Sequence, residues 1–332
     1  VLALDVLLYH CWAIWQAQPV FVFALRLNPM ASIISFLLIS GYSIAHSITR
    51  EEHNFFKRRL RRIYPTYFLC LSVAVLAFCT VGIPQAPWMQ RHTLSLYGVA
   101  GHFVFAQPFF TQSMSNFGPS WNLGVEVLFY MLAPLLLRMR GRFILAMALA
   151  SAVLYAWYPF NDLLPDARGA IAPATLAWAW LLGWLIYRFP QPNIRPLLVL
   201  PALLLPAILV MLQPQLVDKP HYSPWMMVLP LVTVFWLVFP TPLVLSPRTR
   251  KVLNYLGDLS YPLYLIHWPV ICALTSLGLA LPSTSPWFAL CGSCLAAAVI
   301  LQLARMLAPR ATHHPLPATP DLPGLSQANA PR

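Results

Sequence analysis

Apolar runs long enough to cross about 30 Å of hydrocarbon recur at 1–18, 30–48, 63–83, 120–138, 142–158, 171–188, 196–213, 224–244, 255–281 and 286–307. Ten runs predict ten transmembrane helices. An eleventh, 94–110, is interrupted by Gly98, Gly101, His102 and Pro108 and reads as a re-entrant or interfacial segment within a long loop. The pattern therefore predicts an all-α, polytopic integral membrane protein. Residues 1–308 form one membrane domain, whose first helix reads as truncated at its amino end because Val1 already lies inside an apolar run. From Pro309 to Arg332 proline and small residues replace the apolar pattern, which predicts a disordered tail.

Composition agrees with this reading. Hydrophobic residues make up 59% of the chain and charged residues 9%, a balance that a water-soluble domain of this size could hardly keep in solution. The formal charge of +12 would suit a nucleic-acid binder if the cations formed one soluble patch. They do not. With ten spans and the amino terminus inside, 17 of the 21 basic residues fall on the cytoplasmic side, leaving only Arg26, Arg91, Arg168 and Lys219 outside. Letting 94–110 span would move Arg138, Arg140 and Arg142 to the wrong face, so both termini are expected in the cytoplasm, with no nucleic-acid partner. The six cysteines all fall in apolar runs and indicate no disulfide framework. Cys291-Gly292-Ser293-Cys294 has redox-motif spacing but lies in a membrane helix, where small residues serve packing. No metal-ligand spacing stands out.

Four constellations can carry chemistry. His10, with Asp5 just over one turn before it, places an imidazole in a membrane helix, suited either to base chemistry or to a structural hydrogen bond. Glu126 is a carboxylate in an otherwise apolar stretch and is expensive to keep there without a task. Asn122, Glu126 and Tyr130 recur every four residues and share one helical face, either as a reactive stripe or as a polar seam between helices. In the third constellation Ser260, Tyr264 and His267 share a face, with His267 about 18 Å from the start of its apolar run and Pro269 expected to open the helix beside it. The fourth, Lys57-Arg58-Arg59-Leu60-Arg61-Arg62-Ile63-Tyr64-Pro65, has five cations in six positions, more than orientation alone requires. Forked arginine donors match phosphate oxygens, so a polyphosphorylated ligand such as a coenzyme A moiety suits the block.

Together these segments resemble the membrane acyltransferase-3 family of bacterial enzymes that acylate surface glycans. The resemblance is carried by His10 after its Val/Leu-rich run, by Phe36-Leu37-Leu38-Ile39-Ser40-Gly41-Tyr42, and by Arg59-x-x-Arg62-Ile63-Tyr64-Pro65. It continues through Ser120-Trp121-x-Leu123-x-x-Glu126-x-x-Phe129-Tyr130 and Ser260-Tyr261-x-x-Tyr264-Leu265-x-His267-x-Pro269. It implies an enzyme moving an acyl group, usually acetyl, from cytoplasmic acyl-CoA to a hydroxyl of a cell-surface or lipid-linked carbohydrate, in the bacterial cytoplasmic membrane. Under it His10 and Glu126 are catalytic, and Arg58, Arg59, Arg61, Arg62 and Tyr64 face the coenzyme. Trp121, Asn122, Tyr130, Ser260, Tyr264 and His267 bind or support substrate, and acyl-CoA is a co-substrate with no metal. His10 would be the base and Glu126 would orient or stabilise its imidazolium, while Tyr64, Tyr130, Tyr264 or backbone amides would receive the oxyanion. The family's first-helix arginine, eleven positions before its histidine, would here precede Val1. A proton-coupled transporter or flippase of a lipid-linked glycan is the competing class, because midplane His and Glu residues suit it too.

Overall fold

The computed structural model describes residues 1–16, 18–22, 29–84, 95–107, 109–111, 113–157, 171–189, 227–239 and 245–307. Its elements are α1 (Leu2–Trp12), α2 (Pro29–Arg50), α3 (Phe55–Val81), α4 (Leu96–Phe103), a 3₁₀ helix (Ser115–Ser120), α5 (Trp121–Arg138), α6 (Gly141–Trp157), α7 (Ile171–Arg188), α8 (Val228–Val238), α9 (Pro247–Ser276) and α10 (Trp287–Leu307). There is no strand among the described residues. Four helices, Pro29–Arg50, Phe55–Val81, Ser115–Arg138 and Trp287–Leu307, are long and apolar enough to cross a membrane. Their outward faces carry exposed Leu76, Met131, Leu135 and Leu295, the surface expected of helices that meet lipid rather than water. The span expected at 196–213 and the tail at 309–332 lie outside the described residues.

Two helices begin well before their apolar runs. α3 takes in the whole cation block from Lys57 to Arg62, and α9 starts at Pro247 rather than near 255. Arginine and lysine are good helix formers, so the helix continues past the edge of its apolar run. At α9 the start is fixed by a cap: Ser246 Oγ accepts the Thr249 amide at 3.1 Å, with Pro247 in the first turn. His267 is thus 20 residues, about 30 Å, from the start of its helix. The helix also runs unbroken through Pro262 and Pro269, where an opening beside His267 was expected.

α3 and α9 run in the same direction. The Tyr261 hydroxyl donates to the Ile63 carbonyl at 3.3 Å, and further on Ser276 Oγ donates to the Gly82 carbonyl at 3.5 Å. Their starts share one end of the bundle, which also collects the ion pairs Arg58–Glu51 (2.7 Å), Arg138–Glu52 (2.8 Å) and Arg305–Asp258 (2.7 Å). This basic end gathers loops that the sequence puts on one side.

Between α3 and α5 the chain folds inward. The Tyr67 hydroxyl donates to the His102 carbonyl at 2.8 Å, and the Phe105 ring lies 4.5 Å from that of Tyr67. Tyr67 is 14 residues before the end of α3, so the segment reaches about 21 Å back along it. Phe105 has a left-handed backbone, φ 59°, uncommon for a bulky residue, at the point where the chain reverses. The return limb is tied down by Asn116 Nδ2 to the Ala74 carbonyl (2.7 Å) and Trp268 Nε1 to the Ser115 carbonyl (2.7 Å). A re-entrant segment requires such internal satisfaction of its backbone.

The buried residues form two half-cores. One joins α2, α5, α6, α7 and α8, and the other joins α1, α3, α9, α10 and the folded-back segment. In the first, α2 and α7 approach until backbones touch: a Cβ on Gly41 would collide with the Trp180 carbonyl, and one on Gly183 with the Leu38 carbonyl. In the second, Ala289, Ser293 and Ala297, four residues apart, are fully buried in α10 while Cys291 and Cys294 are exposed. Tyr130 packs against both half-cores, so α5 lies along their seam.

Candidate functional site

The seam carries most of the polar residues that the sequence singles out. On α5, Glu126 Oε2 accepts a 2.8 Å hydrogen bond from the Tyr130 hydroxyl, as the four-residue spacing predicts. That hydroxyl lies 3.4 Å from Ser40 Oγ on α2, which in turn accepts from Trp180 Nε1 of α7 at 3.3 Å. Ser40 belongs to the Phe36–Tyr42 run, and this contact explains why the run matters: the backbone approach at Gly41 and Gly183 brings Ser40 and Trp180 together behind Tyr130.

Arg59 and Arg62, on one face of α3, lie within electrostatic range of Glu126. Arg59 is half-buried over the Phe55 ring, 5.8 Å from its centroid, with its Nε buried and without a partner among the described residues. Arg62 and Arg61 are exposed at the basic end. Arg58 is engaged differently. It pairs with Glu51 and donates to the Glu51, His53 and Ser47 carbonyls, which ties down the turn between α2 and α3. Tyr64 is half-buried beside Phe68 and Phe105, at ring distances of 6.3 and 6.1 Å.

From α9, Tyr261 and Tyr264 both lie within electrostatic range of Glu126. The Tyr264 hydroxyl donates to the Pro119 carbonyl at 2.9 Å, beside the buried side chain of Asn122. Trp121 packs against the first half-core, and Ser260 Oγ donates to the Gly257 carbonyl of its own helix at 2.7 Å. Among these contacts Ser260 is the one that serves only its own turn.

Deeper along α9, the Tyr264 and His267 rings are 6.3 Å apart, and the His267 ring lies 5.1 Å from that of His10. Trp268 stands 4.5 Å from His10 on another side. His267 is fully buried. Its Nδ1 faces the Leu263 carbonyl at 3.0 Å and, because a carbonyl only accepts, carries the proton. Nε2 is therefore an acceptor, buried and without a hydrogen-bond partner among the described residues. A buried unpaired acceptor is costly, and a site awaiting a hydroxyl is one setting that accounts for it.

The histidine of α1 and that of α9 are thus brought together from 257 residues apart, which helical spacing cannot reveal. Asp5 does not point toward this pair through any hydrogen bond described; its Oδ2 accepts from Ser32 Oγ of α2 at 2.7 Å. Tyr261 and Ser40 sit in the quoted motifs without an assigned role, and their positions, Tyr261 in electrostatic range of Glu126 and Ser40 against Tyr130, supply one, as does that of Trp268 beside His10.

The series Arg59, Arg62, Glu126, Tyr264, His267 and His10 thus runs through one seam. The chain is 26% identical over 262 residues to a protein of Komagataeibacter xylinus described as a membrane-bound transacylase, BcsY, a match covering 71% of this chain and 64% of that protein. It is 23% identical over 280 residues to a protein of Acidianus two-tailed virus described as an acetyltransferase, ORF330, covering 80% and 79% respectively. Nodulation protein 10 of Rhizobium leguminosarum bv. viciae is 30% identical over 131 residues, 36% of each chain. The matched region thus spans less than two thirds of the BcsY length. No solved structure matches. The acyltransferase domain profile aligns with residues 4–305, from the helix of His10 to that of Arg305, and the chain therefore belongs to the acyltransferase-3 family.

Proposed function

We propose that this protein is a membrane O-acyltransferase that takes an acyl group, most simply acetyl, from cytoplasmic acyl-CoA and places it on a hydroxyl of a cell-surface or lipid-linked carbohydrate in the bacterial inner membrane. The reading is supported chiefly by one observation. Arginines at the basic end and a pair of histidines deeper in the fold lie along a single seam, with Glu126 between them in range of Arg59 and Arg62. A donor with phosphates at one end and a thioester at the other needs that polarity.

In this reaction His10 takes the proton of the acceptor hydroxyl as its oxygen attacks the thioester carbonyl carbon. The tetrahedral intermediate collapses, the C–S bond breaks, and the imidazolium returns its proton to the coenzyme thiolate, leaving an ester. His267 lies beside His10 with a free acceptor and helps to orient the hydroxyl. Glu126, when ionised in this seam of low dielectric, would favour the imidazolium as it forms. Tyr130 and Tyr264 already donate their protons, to Glu126 and Pro119, so the oxyanion falls to Tyr64 or to backbone amides.

The test has two parts. Ester-linked acyl groups on surface glycans are measured by mass spectrometry in cells carrying the full-length protein or His10→Ala at equal membrane abundance, and acyl-CoA binding is measured in membranes of Arg59→Ala with Arg62→Ala. Loss of the acyl mass in the first and of binding in the second is expected. Unchanged acylation in His10→Ala would remove it as the base.

A further inference from the structure

Resting on the acyl-CoA reading above, we infer that a basic cavity between α9 and α10, at the basic end, holds the 3′-phosphorylated nucleotide end of the coenzyme, outside the Arg59-x-x-Arg62 motif. The cavity measures about 520 Å³, within the range of ligand pockets, and its walls include Arg250, Lys251, Asn254, Tyr255, Asp258 and Arg305.

Its charge is the first argument. Arg250, Lys251 and Arg305 face one carboxylate, Asp258, so three cations against one anion leave two positive charges uncompensated. Arg305 reaches across from α10 to Asp258 at 2.7 Å, which fixes its guanidinium at the cavity wall. On α9, Arg250, Asn254 and Asp258 follow at four-residue intervals and so share one helical face. Orientation of a membrane helix requires cations near its end but does not require them to line a hollow. A phosphate of charge near −2 matches the surplus, and Arg250 offers it a fork. The half-exposed ring of Tyr255 and the amide of Asn254 supply a flat face and a hydrogen-bonding edge for a purine.

Position is the second argument. Because α3 and α9 run in the same direction, with Tyr261 level with Ile63, Arg62 lies at about the level of Ser260. Asn254 and Arg250 are 7 and 11 residues before Tyr261, about 10 and 16 Å further out. His267, at the reacting end, is six residues, about 9 Å, deeper than Tyr261. Measured along α9, the three stations follow one another: histidines inside, Arg62 of the neighbouring α3 at the level of Ser260, and Asn254 and Arg250 of the α9–α10 cavity further out. A coenzyme whose thioester is inserted among the histidines and whose pyrophosphate meets the arginine pair would leave its adenosine 3′-phosphate outermost. Anionic lipid headgroups share the phosphate chemistry, and exposed Val252, Leu253 and Leu256 on the same stretch would meet acyl chains, so the experiment must separate the two sources.

The full-length protein is placed in nanodiscs of phosphatidylcholine alone or mixed with phosphatidylglycerol, and the Kd values of acetyl-CoA and of 3′-dephospho-acetyl-CoA are measured by equilibrium binding. Wild type is expected to prefer acetyl-CoA in both bilayers. Arg250→Gln with Lys251→Gln weakens acetyl-CoA about tenfold, equivalent to about 1.4 kcal/mol, and leaves the dephospho compound unchanged, so that the preference disappears. Asp258→Asn removes the opposing charge and tightens acetyl-CoA, a gain that misfolding cannot imitate. Equal binding of the two compounds by wild type overturns the proposal while leaving the acyl-CoA reading intact. So does an unchanged preference in the double variant, and lipid bound by the nanodisc protein, measured by native mass spectrometry and lost in that variant, would assign the cavity to phosphatidylglycerol. If wild type binds neither compound, the acyl-CoA reading fails and this inference with it.

Discussion

Replacing Gly183 with alanine puts a methyl group where the Leu38 carbonyl of α2 already sits, and the same change at Gly41 meets the Trp180 carbonyl of α7. Neither obstacle is a side chain that can turn aside. To reach ordinary contact near 3.5 Å the two helices must separate by about 1.5 Å. The hydrogen bonds they support have no slack: Trp180 to Ser40 is 3.3 Å and Ser40 to Tyr130 is 3.4 Å, so both would open. Overpacking costs about 1–3 kcal/mol and each lost hydrogen bond about 0.5–1.5 kcal/mol. Gly257 provides the control, because nothing lies within 4 Å of a Cβ there and alanine in an exposed helix gains up to about 1 kcal/mol over glycine. The assay is the thermal aggregation midpoint of detergent-solubilised protein with each single change. Gly41→Ala and Gly183→Ala should lower it, Gly257→Ala should hold or raise it, and the Gly41/Gly183 double variant should cost less than the sum because both act on one interface. If Gly183→Ala and Gly257→Ala prove indistinguishable, the claim that α2 and α7 touch backbone to backbone is wrong, and with it the account of how Tyr130 is backed.

Tyr130→Phe removes the hydroxyl that donates to Glu126 and leaves the protein's packing intact. A hydrogen bond contributes about 0.5–1.5 kcal/mol, so acyl-transfer kcat/KM should fall by up to about tenfold, and activity equal to wild type would contradict the role given to Glu126. Arg58→Gln and Arg59→Gln should separate cleanly. The first loosens the α2–α3 turn and lowers the aggregation midpoint with little change in acyl-CoA affinity, and the second weakens affinity with little change in the midpoint. Asn116→Ala breaks the bond that holds the returning limb to α3; a loss of about 1–2 kcal/mol should appear as faster proteolysis between residues 95 and 120.

What the sequence made legible follows from which forces act locally. The interruption of 94–110 by Gly98, Gly101 and His102 is a local signal, and the structure uses each of them. A Cβ on Gly101 would strike the Thr111 side chain where the two limbs close, the His102 carbonyl accepts from Tyr67, and the Gly98 amide donates to the capping Ser95 Oγ. The stripe of Glu126 and Tyr130 is equally local, since four-residue spacing alone aligns them. The starts of α3 and α9 are not legible in the apolar pattern because apolar windows end where water begins, whereas backbone hydrogen bonding does not. Composition likewise counts Arg58 as a cation without showing that both its terminal nitrogens donate to carbonyls at the α2–α3 turn.

The meeting of His10 with His267 belongs to another class of information, because it depends on how α1 and α9 pack and on nothing within either helix. Yet the consequence was partly written in each. An imidazole held at full burial with one nitrogen committed to its own helix must leave the other nitrogen either paired across an interface or unsatisfied. In α9 the Leu263 carbonyl takes the first nitrogen, so the partner for the second has to come from another helix or from substrate. The ring that stands nearest is the other histidine of the membrane domain's motif set, 5.1 Å away. Two imidazoles in an apolar seam cannot both be charged without mutual repulsion, so a proton taken up by one is held against the other remaining neutral. That asymmetry is the property a base needs if it is to accept a proton from a hydroxyl and surrender it to a departing thiolate within one turnover.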